Sequence, residues 1–368
     1  MFHVDPVGGI NYNRSTSIMA TFYTSATAHP TYCYDQDEIL RSLPLWLAEN
    51  TQLLALAQRV FRNAAVQTRY GCRPLLDLVN PLSITEASML YQQQARALGE
   101  QVARECLQRA CVAPAAVDLV ITTSCTGFMI PSLDAYLANT LGFSTHVKRL
   151  PLTELGCAAG ASALARASDY LCAFPEHTVL VVAVELPSLT FQIHDLSAAN
   201  IVSSALFGDG AAAVLLRGGT MTGKPRVLTT ESTLFPRTTG LMGFALKDAG
   251  LHILLSAEIP EVVCAEVPEL LEKFLGRQGL AIADLSHFLL HPGGRRVLDG
   301  LAQCLELATE QTAVSRAILR DYGNLSSASV LFILDRFLTT KHARPGDLGL
   351  LLAFGPGFSA EVLLLRWE

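Results

Sequence analysis

The chain has 368 residues, half of them hydrophobic and 16% charged, with a mean hydropathy of +0.34. That is long enough for two core-forming units or one large duplicated domain. The net charge is −6 and the pI near 5.9; with no basic stripe and no run of about eighteen apolar residues, nucleic acid and a membrane span are not expected partners.

Residues 1–17, MFHVDPVGGINYNRSTS, lack the basic and apolar regions of a secretory leader and read as a loose arm. Nine cysteines are scattered without a CxxC pair. That spacing favours neither zinc nor a disulfide framework and fits a reducing cytoplasm. The pattern predicts helices over 35–65 and 84–112, the second opening on a Ser/Thr-containing start. A buried strand follows over 117–123 and ends in the turn Ser124-Cys125-Thr126-Gly127. Residues 131–142 read as helical. A strand-to-helix junction lies within 150–171, and 177–186 reads as another buried strand.

The second half repeats this order. Residues 284–294 resemble the earlier Asp-led strand and its glycine turn. Residues 207–218 and 354–367 share a Phe-Gly-x-Gly turn opening a strand. Together these imply an α/β duplication with halves 1–222 and 223–368, divided at the turn-rich 217–225.

Three residues in turns could carry chemistry. Cys157 lies in Glu154-Leu155-Gly156-Cys157-Ala158-Ala159-Gly160 at the start of a helical pattern. Helix N-termini favour a thiolate, and small neighbours leave room for a group on sulfur; a buried structural cysteine is the plainer reading. His291 ends an apolar strand before Pro292-Gly293-Gly294. α/β folds place ligands at such strand ends, though a histidine bonded to backbone would look the same. Asn324, ahead of Leu325-Ser326-Ser327, is either a helix cap or an amide donor to an oxyanion. Together, Cys and His can form a thiolate–imidazolium pair, and His with Asn can hold a thioester oxygen. A papain-type protease uses the same trio, but the cysteine turn does not match it.

At these residues the chain resembles the chalcone synthase family, the type III polyketide synthases, in a bacterial-type form. The matching blocks are Gly156-Cys157, Ala205–Ala213, His291–Gly294, Tyr322–Ser327 and Phe354–Gly357, in that order. The resemblance implies a thiolase-like fold of two pseudo-duplicated αβαβα halves, a homodimer, and an acyltransferase that needs no metal and no cofactor. It implies that Cys157 carries an acyl-CoA starter. His291 and Asn324 then bind malonyl-CoA, promote loss of carbon dioxide and stabilise the enolate. Iterative condensation would end in a pyrone, resorcinol or phloroglucinol-type ring.

The same resemblance makes Phe207 a gatekeeper and Cys125, Thr190 and Ser326 cavity-lining residues. Ile130 would reach into the partner's cavity. Aligning on Lys247-Asp248 puts Gly243 at the second gatekeeper position with Phe244 beside it. Arg59 matches a cation for the coenzyme A phosphates, while Leu56 and Asn63 stand where lysines are usual. That loss leaves room for an acyl carrier protein as donor. A β-ketoacyl-ACP synthase III shares the trio but continues His-Gln-Ala-Asn instead of His-Pro-Gly-Gly. A non-catalytic scaffold that binds acyl-CoA is the reading from a different class; a Cys157 without a connecting cavity would favour it.

Overall fold

The computed structural model describes residues 20–47, 49–340 and 343–368, so the arm expected over 1–17 lies outside the described residues. The amino-terminal half supplies five strands of the main sheet: β1 (Ala20–Ala28), β4 (Leu119–Thr123), β5 (Lys148–Leu152), β6 (Thr178–Glu185) and β7 (Gly210–Gly218). A small pair, β2 (Tyr32–Asp35) and β3 (Thr68–Gly71), lies apart. The carboxy-terminal half supplies β8 (Pro225–Leu234), β11 (His287–Leu290), β12 (Leu348–Gly355) and β13 (Ser359–Trp367), with a separate hairpin β9 (Met242–Lys247) and β10 (Gly250–Leu255). The main sheet runs β11-β12-β13-β8-β1-β7-β6-β4-β5.

The two halves mirror each other about the contact of β1 with β8, where one pair, Thr21 with Arg226, is in register. On one side β1 is antiparallel to β7, β7 to β6, and β6 is parallel to β4. On the other, β8 is antiparallel to β13, β13 to β12, and β12 is parallel to β11. All eight residues of β6 are buried. Its unbroken apolar run, VLVVAV, is what a strand covered on both faces requires.

Among the described residues, ten helices pack around the sheets. They are α1 (Gln36–Leu47), α2 (Thr51–Asn63), α3 (Ile84–Arg109), α4 (Leu133–Leu141), α5 (Ala159–Ala173), α6 (Ala198–Leu206), α7 (Ile259–Gly276), α8 (Arg295–Cys304), α9 (Thr309–Tyr322) and α10 (Ser329–Thr340). The first expected helix is two, because the Asn50 side chain accepts the Leu53 N–H at 3.0 Å and starts α2 afresh. The second begins where expected, at a capping box: Glu86 N–H donates to Ser83 Oγ at 3.2 Å and Ser83 N–H to Glu86 Oε2 at 2.8 Å.

Three apolar clusters define the layers. One core unites α5 and α10 with strands of both halves. A second packs α3 and α4 on β4, β6 and β7. A third packs α7 and α8 on β11–β13 and continues to α1 and α2. The architecture is α/β, an αβαβα thiolase-like arrangement with α5 and α10 at its centre.

Candidate active site

The turn before α5 is shaped by two other segments that press on it. Gly156 has φ +49°, and a Cβ there would meet the Pro356 ring at 2.6 Å. A Cβ on Gly160 would lie 2.0 Å from the Ser327 carbonyl oxygen, and one on Gly355 would lie 2.4 Å from that of Leu155. Cys157 is thereby fixed, 6% exposed, between the segment before α10 and the turn joining β12 to β13. Its thiol donates to Ser326 Oγ at 3.4 Å.

Asn324 is held from both sides. Its N–H donates to Leu206 O at 2.7 Å, and Gly208 N–H donates to Asn324 O at 3.1 Å, so Phe207 and Asn324 bridge like strands. Its side-chain oxygen accepts the Ser326 N–H at 2.8 Å and the Ser329 hydroxyl at 3.3 Å. Asn324 also acts, after Ser326, to lower the Cys157 thiol's pKa against the larger effect of burial. The side chain thus ties a turn and addresses the thiol at once. It does not cap α10 as an isolated Asn would.

His291 leaves the end of β11 with its N–H donating to Leu352 O at 2.8 Å. The ring is buried, and neither nitrogen has a partner. Buried polar atoms are normally paired, so this ring is poised for a ligand or for water. The turn that carries it ends at Gly294, where a Cβ would meet Leu206 at 3.4 Å. Leu206–Phe207 is therefore the point about which the His291 and Asn324 turns are gathered.

Burial pushes the Cys157 thiol up to about 12, against the lowering by Ser326 and Asn324, and it pushes His291 down to about 3. No hydrogen bond links the two. Burial thus disfavours the charged form of each group, a cost that the thiolate–imidazolium pair expected from the sequence has to offset.

A cavity of about 1080 Å³ opens beside the thiol. Cys125, Cys157, Thr190, Phe207, Phe244 and Ser326 all line it, as does Gly243. His291 and Asn324 lie off its wall. Arg59 is exposed on α2, and Ile130 is 82% exposed outside the cavity beside Phe128, which does line it.

Sequence reasoning set Glu185 aside, because it lies outside the motif of a catalytic glutamate in hydroxymethylglutaryl-CoA synthases. Its fully buried carboxylate, at the end of β6, accepts from Thr126 Oγ1 at 2.8 Å, Cys125 N–H at 3.1 Å and Ser327 Oγ at 2.5 Å. Burial raises its pKa, and these bonds oppose the rise. Burial, then Glu185, also holds the Cys125 thiol well above its usual range. The signal was a single charged residue closing an otherwise apolar strand.

The family model for the N-terminal domain of chalcone and stilbene synthases matches residues 12–220, and that for the C-terminal domain matches 226–367. The chain belongs to the chalcone and stilbene synthase family. It is a bacterial-type type III polyketide synthase and hence an acyltransferase. Among similar synthases, it is 39% identical over 359 residues to 1,3,6,8-tetrahydroxynaphthalene synthase of Streptomyces peucetius subsp. caesius, covering 96% of this chain and 94% of that one. It is 34% identical over 351 residues to phloroglucinol synthase of Pseudomonas fluorescens, covering 95% and 99%. The crystal structure of tetrahydroxynaphthalene synthase from Streptomyces coelicolor, a bacterial type III polyketide synthase, superposes with a TM-score of 0.91 at 35% identity, over 95% of this chain and 99% of that one.

Proposed function

We propose that this polyketide synthase builds its product on Cys157, with His291 and Asn324 as the other two catalytic residues. The observation that carries this is the position of the Cys157 thiol on the wall of a large cavity, with Ser326 and the Asn324 amide against it. A scaffold that merely binds acyl groups would have no use for a thiol so placed.

An acyl-CoA starter enters and the Cys157 sulfur attacks its thioester carbon. The new thioester forms as the bond to the coenzyme A sulfur breaks. The thiol proton passes through His291, a neutral base with free ring nitrogens, to the departing thiolate. Malonyl-CoA then binds with its thioester oxygen between an imidazole N–H and the Asn324 amide. Those donors stabilise the enolate left when carbon dioxide departs. The enolate carbon attacks the Cys157 thioester, frees the sulfur and leaves a chain two carbons longer on coenzyme A, which Cys157 takes back with release of the coenzyme A thiol. Repetition and cyclisation give an aromatic ring.

The cavity residues Cys125, Thr190, Phe207, Phe244 and Ser326 shape the space in which the chain folds, with Phe207 between the entry and the reaction chamber. Arg59 contributes a cation for the phosphates of the donor, whether coenzyme A or an acyl carrier protein. A second copy of the chain covers the exposed Phe128 and Ile130, giving a homodimer. All nine cysteines are free thiols, which supports a cytoplasmic site. The division of the halves falls at 222/223, between β7 and β8.

The test is mass spectrometry after incubation with malonyl-CoA and a panel of starters, as CoA and carrier-protein thioesters. Acyl mass on the Cys157 peptide, with ring products containing two or more malonyl-derived units, is the expected result. Cys157→Ala abolishes both; condensation that survives the substitution overturns the assignment.

A further inference from the structure

Cys264 lies on α7, and Cys304 is the last residue of α8. The fold brings their sulfurs to one turn of α8. A Cβ added at Gly300 would lie 2.7 Å from Cys264 Sγ, so that sulfur rests on α8 at Gly300. Cys304 is four residues beyond Gly300 and therefore on the same face of the helix. Helical side chains lean back towards the N-terminus. The Cys304 thiol does so, reaching Leu301 O at 3.8 Å. Cys264 in turn bears on Cys304: after burial, its charge and a hydrogen bond with it raise the Cys304 thiol. Both cysteines are free and half-buried, within reach of a small molecule from solvent. Neither lines the catalytic cavity, so the pair is distinct from Cys125 and Cys157, which do.

We propose that Cys264 and Cys304 form a redox-modification site, which a peroxide oxidises to a disulfide that pins α8 to α7 and slows turnover. The chemistry balances with hydrogen peroxide as the oxidant. One sulfur, as its thiolate, attacks a peroxide oxygen and the O–O bond breaks. That sulfur becomes a sulfenic acid, and the other oxygen leaves as water. The second thiol attacks the oxidised sulfur, the S–O bond breaks, and a second water leaves. Two electrons thus pass from the two sulfurs to the peroxide. A dithiol reductant reverses the change by thiol–disulfide exchange. In a reducing compartment the pair rests as two thiols.

The consequence for catalysis runs along α8. The helix starts at Arg295, directly after the Pro292–Gly294 turn that carries His291. A disulfide holds two sulfurs about 2.0 Å apart, well inside the separation of two thiols in contact. At Gly300 the helices already stand closer than any larger residue would permit. The bond is therefore accommodated by a shift of α8 as a body, and that shift reaches Gly294 and the His291 turn. A misplacement of about 1 Å costs on the order of 100-fold in rate, so about a quarter of that costs about threefold. The same bond closes a loop of about forty residues and so stabilises the folded chain against heat. The link to turnover rests on the catalytic reading of His291.

The experiment treats the wild type, Cys264→Ser and Cys304→Ser alike with a small excess of hydrogen peroxide, which catalase then removes. Peptide mapping without reductant reads the disulfide. Chromatography of coenzyme A released from malonyl-CoA reads kcat, before and after dithiothreitol, and thermal melts check the folding of each protein. The wild type is expected to give a peptide cross-linked between Cys264 and Cys304. Its kcat falls about threefold or more, dithiothreitol restores it, and its melting temperature rises by several degrees. Both variants keep most of their kcat and show no rise in melting temperature. Absence of the cross-linked peptide overturns the proposal, and so does a disulfide that leaves kcat unchanged. An equal loss in all three proteins also overturns it and assigns the damage to Cys157. These outcomes leave the catalytic reading of His291 intact. A reduced His291→Ala protein as active as the wild type overturns that reading and the link to turnover with it.

Discussion

Replacing Gly160 with alanine sets two opposing effects against each other. Gly160 is the second residue of α5, three beyond Cys157. Helix propensity alone makes Gly160→Ala stabilising by about 1 kcal/mol. The contact made by the added methyl says the reverse. It would sit 2.0 Å from the Ser327 carbonyl oxygen, where ordinary contact begins at 3.4 Å. Backbone stands on that side, so the start of α5 and the 324–329 segment must part by more than about 1 Å. Overpacking of this kind costs about 1–3 kcal/mol, which cancels or exceeds the propensity gain. The catalytic effect is larger, because the displacement separates Cys157 from Ser326 and Asn324. A misplacement of about 1 Å costs on the order of 100-fold in rate. Release of coenzyme A thiol from malonyl-CoA, followed continuously, reads the rate, and calorimetry reads the melting temperature. A Gly160→Ala protein that melts higher and turns over normally would show that α5 and Ser327 are not so closely apposed.

Further outcomes follow from the same geometry. His291 titrates lower in the folded protein than in the unfolded chain, so protonation of the unfolded chain draws stability away as pH falls from about 6.5 towards 3. His291→Asn should flatten that acid decline in urea-melt stability between pH 6 and 4; an identical slope would place the ring in solvent. The Cys157 thiol, raised to about 12, should react with iodoacetamide more slowly at pH 7.5 than a free cysteine, and its rate should still be climbing above pH 9. A plateau below pH 8 would instead reveal a resting thiolate. Glu185→Ala strips the acceptor from Thr126, Ser327 and the Cys125 N–H, and should cost about 3 kcal/mol or more, with Glu185→Gln milder. Equal melting temperatures for the two variants would contradict a role for the acceptor oxygens.

Much of this was legible in the chain. The buried strands announced themselves as apolar runs, and the Ser83 start of α3 carried its own capping chemistry. The glycine turns at 156, 294 and 323 pointed to three places where backbone must bend or approach. The break between α1 and α2 was not seen, because the helical pattern runs on through Asn50 and the signal is one side-chain cap. The desolvation of Cys157 and His291 was not readable either, because burial is not written in local sequence. Glu185 was given no role in the site for a related reason. A single carboxylate at a strand end acquires meaning only when Thr126, Ser327 and Cys125 arrive around it from three separate segments.

The turn joining β12 to β13 has a consequence for how the protein comes into being. Gly355 and Pro356 form the wall behind Leu155, Gly156 and Ala158, yet they are made nearly two hundred residues after Cys157. A nascent chain on the ribosome therefore carries an unshaped thiol through most of its synthesis, and the pocket closes around it only as the final hairpin emerges. Translation that stalls before this point yields a product without catalytic competence and with the faces of α5 and β8 uncovered, a form that proteolytic quality control can recognise. The order of synthesis thus ties catalytic competence to the last hairpin of the chain.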